Sequence, residues 1–375
     1  MSAFGGNPGQ TRFFACRSSI PNSLRTFSAH ENRKLDSQWS RDERRYSAHT
    51  AIPEVLREAS QRGILIPFVG AGVSVLAGCP TWAKLADGAL KTCIDAKGFS
   101  HKQLAQTKHL SPRVKLSIAR GLEAKHGLKI DYAKLINPEN GYENNDIGNR
   151  VYRSLGKLGK TFVTTNYDSW LDTEIPDVLL SVTAPASPQD TTATAPSKRK
   201  VIFDQNEFTP ANLNQPNSVF HLHGSLADPA GMVITTPDYI ARYANDRAGN
   251  DPQQENRTLT FLGHLFQTKT VLFIGYGLED LEIPEYVIQK ARMLLPDEQA
   301  QARHFMLQGY FSHEYELMRS LTQYYKQCNI QLLPFSRDEK DWPQLIDVLE
   351  KFAEEMPAAT PLNLQVQMEM ERLLD

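Results

Sequence analysis

Asn166, Asp168 and His223 are the side chains best equipped for chemistry in this sequence, and each follows an apolar run of strand length. The imidazole of His223 can take or give a proton near neutrality. Asn166 and Asp168 belong to a polar cluster at a strand's carboxyl end, where open parallel sheets place ligands. In Thr164-Thr165-Asn166-Tyr167-Asp168 the polar residues also suit an Asx turn or a helix cap. In Val219-Phe220-His221-Leu222-His223-Gly224-Ser225, strand alternation places His221 and His223 on one face. Two such histidines could start a metal site, but no third ligand stands at metal spacing. His221 reads better as a hydrogen-bonded support.

Two glycine segments accompany these residues. Phe68-Val69-Gly70-Ala71-Gly72-Val73-Ser74 closes one apolar run. Gly70 and Gly72 would let backbone N–H groups approach a pyrophosphate, with Ser74 as a further donor. Tight strand-to-helix turns also use glycine for steric reasons alone. Gly275-Tyr276-Gly277 closes another run, and Glu279 or Asp280 beyond it could accept from ribose hydroxyls or cap a helix.

Strands are expected at 64–69, 162–166, 219–223 and 271–275, with two more at 304–308 and 330–333. Pro67 is an awkward residue for a central strand. Helical patterns lie between the strands, which predicts a doubly wound α/β fold with a parallel sheet. Residues 1–50 read as a mobile extension, 51–355 as one catalytic domain, and 356–375 as a tail. Within the domain, 82–159 reads as a helical insertion and 181–200, rich in Pro, Ala, Thr and Ser, as a flexible loop. Asp341 is expected to cap a final helix carrying Leu345, Val348, Leu349 and Phe352.

The net charge of −2 argues against a general affinity for nucleic acid or membranes. Between Lys97 and Lys134 nine basic residues face only Glu123 and Asp131, a pattern read here as a solvated helix face. The four cysteines form no CxxC pair, so neither a zinc knuckle nor a disulfide framework is expected. No span-length apolar run and no apolar leader core are present, and a cytoplasmic location is expected.

The four motifs in this order resemble the NAD-binding core of sirtuins, and more closely the sirtuin-like domains of bacterial anti-phage defence proteins. The resemblance covers about residues 50–290 and includes Thr235-Thr236-Pro237-Asp238-Tyr239. It implies a Rossmann-like sheet, NAD as substrate rather than resident cofactor, no metal, and cleavage of NAD to nicotinamide and ADP-ribose. It implies that Asn166 holds the attacking water and a ribose hydroxyl, that His223 takes a proton, and that Asp168 stabilises charge or orients nicotinamide. Gly70, Ala71, Gly72, Ser74, Thr165, Gly275, Tyr276 and Gly277 would bind the dinucleotide. The zinc module of protein deacylases is missing, and Pro80-Thr81-Trp82-Ala83 replaces their acidic and arginine residues after the first loop. The implied role is NAD depletion in abortive infection, through homo-oligomers or a separate HerA-type ATPase. A nucleotide sensor without catalysis, or a deacylase or ADP-ribosyltransferase, are the alternatives.

Overall fold

The computed structural model describes residues 51–138, 141–175, 198–243, 256–277 and 304–356. The expected extension at 1–50, most of the 181–200 loop, Glu279, Asp280 and the tail beyond 356 lie outside these residues.

The apolar runs become parallel strands of one seven-stranded sheet. They are β1 (Leu65–Val69), β2 (Thr161–Thr164), β3 (Lys200–Ile202), β4 (Ser218–His221), β5 (Thr270–Ile274), β6 (His304–Tyr310) and β7 (Ile330–Ser336), in the order β3-β4-β2-β1-β5-β6-β7. Every ladder is parallel. Both faces are covered, as parallel sheets require. Val69, Phe162, Val219, Leu272 and Ile274 face one side. There they meet α1 (Glu54–Gln61), α2 (Ala71–Leu76), α7 (Asp146–Leu158) and α12 (Gln344–Glu355). Phe68, Val163, Phe220, Val271 and Phe273 face the other, against α8 (Pro210–Leu213), α10 (Arg257–Thr268) and α11 (Tyr315–Gln327). This is the doubly wound Rossmann-like arrangement expected from the alternation of elements.

Pro67 is tolerated in β1 because the ladder to β2 starts only at Phe68. Gly159 also leaves room for its ring, since a Cβ there would lie 2.8 Å from Pro67 Cδ.

The segment 82–159 is helical and divides in two. Helices α3 (Trp82–Asp95), α4 (His101–Gln106), α5 (Pro112–His126) and α6 (Tyr132–Ile136) build a separate apolar cluster that includes Tyr167, Met232 and Ile234. Helix α7 instead gives Val151, Tyr152, Leu155 and Leu158 to the sheet core. It is a crossover helix of the sheet rather than part of the cap.

Three local readings are corrected. Lys200, assigned to a loop, opens the short edge strand β3. Strand β4 ends at His221, so His223 lies in the following turn and the two histidines do not share a strand face. Asp341 does not cap α12: it sits at φ +54, and its carboxylate pairs with Arg337 while Pro343 precedes the helix.

Candidate functional site

The sheet order fixes where a ligand belongs. The chain runs from β1 to β2, β3 and β4 on one side, then crosses to β5 on the other. In open α/β sheets the crevice at the carboxyl ends beside such a reversal is the usual binding place. The register places Val69, Thr164, His221 and Ile274 in one row across β1, β2, β4 and β5. Gly70, Thr165, Leu222 and Gly275 therefore emerge together at one sheet edge.

A cavity of about 110 Å³ opens there, roofed by the helical cap, and Asn166, Asp168 and His223 all line it. Ala71, Ser74 and Thr165 line it as well.

Asn166 is buried and held from four directions. Its N–H donates to Thr164 Oγ1 at 3.0 Å. Its side-chain Nδ2 donates to the Gly70 carbonyl at 3.0 Å and to Ser74 Oγ at 2.7 Å. The carbonyl can only accept, so the amide orientation is fixed. With both amide protons committed, Oδ1 is the end available to a ligand. The Asn166 backbone carbonyl accepts from His221 Nδ1 at 2.8 Å.

Ser74 is the hub beneath this amide. Its hydroxyl donates to Asp168 Oδ2 at 2.6 Å and accepts from Asn166, with the Tyr152 hydroxyl 3.1 Å away. One donor and two acceptor sites are thereby used, leaving none for the pyrophosphate contact expected from the sequence. Asp168 also accepts from the Trp170 N–H at 3.2 Å, so the Asx turn and the ligand-facing position coexist. Burial pushes the Asp168 carboxyl up, against the hydrogen bonds from Ser74 and Trp170 that favour its charge.

His223 has its Nε2 2.8 Å from the Tyr243 hydroxyl. Burial, then the charges of Arg242 and Arg113, lower its pKa to about 3. The ring is therefore neutral at pH 7, and the edge bearing Nδ1 is the one not bound to Tyr243. His221 is the opposite case. Burial alone would lower its pKa, but the hydrogen bond and charge of Asp172 and the Asn166 carbonyl outweigh it and raise the value.

The glycines do something different from what their spacing implied. The Gly70 N–H donates to the Ile274 carbonyl at 2.8 Å, and the Gly72 N–H to the Gly275 carbonyl at 2.9 Å. These amides stitch the first loop to the end of β5 and are not free for a phosphate. A Cβ on Gly70 or Gly72 would lie 2.7 or 2.8 Å from the Gly275 carbonyl oxygen. Gly275 itself sits at φ +69. Tyr276 is buried, and its hydroxyl lies 2.9 Å from Thr165 Oγ1, so it braces the site from behind. Gly277 is exposed and is not among the cavity residues.

Three residues at this site escaped the sequence reading. Arg113, on α5, lines the cavity and lies 4.2 Å over the ring of Tyr239. Its only signal was the local basic excess, read as a solvated face; on α5 that reading fails for Lys115, buried and paired with Asp87, and for the part-buried Arg113 and Arg120. Tyr239 and Tyr243 belong to α9 (Thr236–Tyr243) and pack against His223 with ring centroids 6.0 and 5.8 Å away. Tyr239 was visible as part of a motif, but nothing in the sequence indicated a helix carrying both rings to His223. Among the described residues no three His, Cys, Asp or Glu side chains converge as a metal site. No helix among them is long and apolar enough to cross a membrane.

A parallel Rossmann-like sheet with Asn, Asp and His around one carboxyl-edge cavity defines a doubly wound α/β protein with a polar site. Residues 160–333, a little under half of the chain, match the family model for a SIR2-like domain. The chain is 25% identical over 244 residues to the NAD(+) hydrolase ThsA of Enterococcus faecium, an alignment covering 64% of this chain. It spans only 43% of that relative.

Proposed function

We propose that this chain is an NAD glycohydrolase that cleaves NAD to nicotinamide and ADP-ribose. The observation that carries the reading is the pairing, on one carboxyl-edge cavity, of an asparagine whose carbonyl oxygen is left for a ligand and a neutral histidine.

Nicotinamide leaves the ribose as a neutral base, taking the electron pair of the C1′–N bond. The sugar passes through an oxocarbenium-like state. Asn166 Oδ1 accepts from a water and holds its oxygen toward C1′. With the His223 Nε2–H donating to the Tyr243 hydroxyl, Nδ1 holds the lone pair, and the new C–O bond forms as the water proton passes to it, directly or through a ribose hydroxyl. Asp168 offers negative charge to the developing cation. Arg113 is the cation for the pyrophosphate, a place the loop glycines cannot fill. A bound pyrophosphate would offset the positive field on His223 and raise its basicity, so substrate binding itself would strengthen the base.

The cavity is smaller than the roughly 300–1,000 Å³ of typical ligand pockets. Dinucleotide entry therefore requires the cap to move. Helix α5 is latched by Arg120 Nη2 donating to the Pro229 carbonyl at 2.6 Å and by the Thr236 N–H donating to Ser117 Oγ at 3.2 Å. Such closure slows entry without sealing the site, and fits an enzyme that a trigger or partner accelerates by holding the cap open. NAD depletion during infection, with a homo-oligomer or a separate ATPase as the restraint, is the biological form of the same proposal.

Incubation of the full chain with NAD in ¹⁸O-labelled water tests the reaction. The expected result is nicotinamide and singly labelled ADP-ribose in equal amounts. NAD binding without nicotinamide release would favour a sensor, and acetyl transfer from an acetyl-peptide would favour a deacylase.

A further inference from the structure

We infer that His221 is a positively charged positioning residue, clamped by Asp172, that holds Asn166 in place from behind. The inference deepens the reading of Asn166 as the group that places the nucleophile, and rests on it.

His221 is fully buried at the end of β4. Its Nδ1 lies 2.8 Å from the Asn166 carbonyl oxygen, and a carbonyl only accepts, so Nδ1 carries a proton. Its Nε2 lies 3.0 Å from Asp172 Oδ1. With Asp172 ionised, that nitrogen carries a proton too, and the ring is an imidazolium. Asp172 keeps about a fifth of its side chain exposed, so its charge retains access to water while the imidazole has none.

The acid is itself held rigidly. Arg199 Nη1 donates to the carbonyls of Leu171 and Thr173, each at 2.9 Å, and the Arg199 N–H donates to the Asp172 carbonyl at 2.9 Å. The order of support runs from Arg199 through the 171–173 loop and Asp172 to His221 and then Asn166. A purely apolar residue at 221 could fill the space, but it would leave the Asn166 carbonyl buried without a donor. A charged donor makes the stronger bond, and the acid prevents the ring from turning. What is gained is placement: an error of an ångström in a nucleophile-holding group costs about a hundredfold in rate.

The test combines ring-resolved ¹⁵N–¹H NMR with NAD turnover on the full chain, comparing the parent with Asp172→Asn, His221→Asn and His221→Leu. In the parent at pH 7 the His221 ring is expected to show two slowly exchanging N–H protons. Asp172→Asn should show one, with kcat lowered about ten- to a hundredfold and KM within about threefold. In His221→Asn a neutral amide replaces the Nδ1 donor, so kcat should fall less than in His221→Leu. Either substitution should also shift the Asn166 side-chain amide resonance, which needs no turnover to be read. A single ring proton in the parent overturns the inference, and so does an Asp172→Asn protein with parental kcat or an unmoved Asn166 resonance. Should the folded parent never release nicotinamide, the glycohydrolase reading fails, while the ring protons and the Asn166 resonance still decide this one. If Asp172→Asn does not fold, the ring-proton count of the parent decides the charge, and kcat and the Asn166 resonance of His221→Asn decide the positioning.

Discussion

His221 lies beneath Asn166 between a backbone carbonyl and the Asp172 carboxylate, whereas His223, two residues on, lies at the cavity between Tyr243 and the positive field of Arg242 and Arg113. Burial disfavours charge on both rings. The partners decide the outcome: an acid reverses the effect of burial at His221, and two arginines reinforce it at His223. One wall of the site thus holds a fixed charge that locks the asparagine, and the other keeps a neutral imidazole available to a substrate. Sequence spacing cannot separate the two, because the distinction is made by Asp172, 49 positions before His221, and by Arg113 and Arg242, which are distant from His223 in sequence.

The most severe way to break this contrast is to remove the cavity-side groups. Asn166→Ala or His223→Ala should lower the rate of NAD cleavage by about 10² to 10⁴ or more, read as nicotinamide released by a protein that melts as the parent does. A change to the floor shared by both walls comes next. Gly275→Ala would place a Cβ 2.6 Å from Val73 at a left-handed φ of +69. It should cost at least about 2 kcal/mol of stability in a denaturant titration.

The titration of the two rings sharpens the contrast further. The unfolded chain protonates His223 below its ordinary value of 6.5, but the folded chain holds it neutral to about 3. Stability should therefore fall with acidification through this window, by about 2 kcal/mol between pH 6.5 and 5. His223→Gln should remove that loss. His221 acts with the opposite sign. Its folded value is raised, so its contribution is present below 6.5 and is lost as pH rises through the folded value. His221→Asn should flatten that alkaline limb of the stability curve. The smallest expected effect is that of Tyr243→Phe, which removes the hydroxyl at His223 Nε2. It should change kcat by about three- to tenfold, with little change in KM.

Much of the sheet was legible because buried parallel strands are short apolar runs, and 65–69, 161–164 and 270–274 all announce themselves this way. Strand β3, three residues at an edge, has too little apolar content to stand out, and α11 alternates polar and apolar residues without a sharp start. For the site, the clustering of Asn166, Asp168 and His223 at one cavity followed from their positions after strands. What the glycines and Ser74 do there did not. Their types suit a phosphate loop and a packed turn equally, and only the bonds of Gly70 and Gly72 to the end of β5, and of Ser74 to Asn166 and Asp168, show that their polar groups are already taken. Arg113 was hidden because one cavity-facing arginine among nine basic residues has no distinct spacing.

The most direct test is chromatography of NAD after incubation with the full chain, the Asn166→Ala chain and the His223→Ala chain in parallel, each verified as folded. The account predicts equimolar nicotinamide and ADP-ribose from the parent and neither product above background from the two variants. A His223→Ala or Asn166→Ala protein that releases nicotinamide at the parental rate, or a parent that binds NAD and leaves it intact, would contradict it.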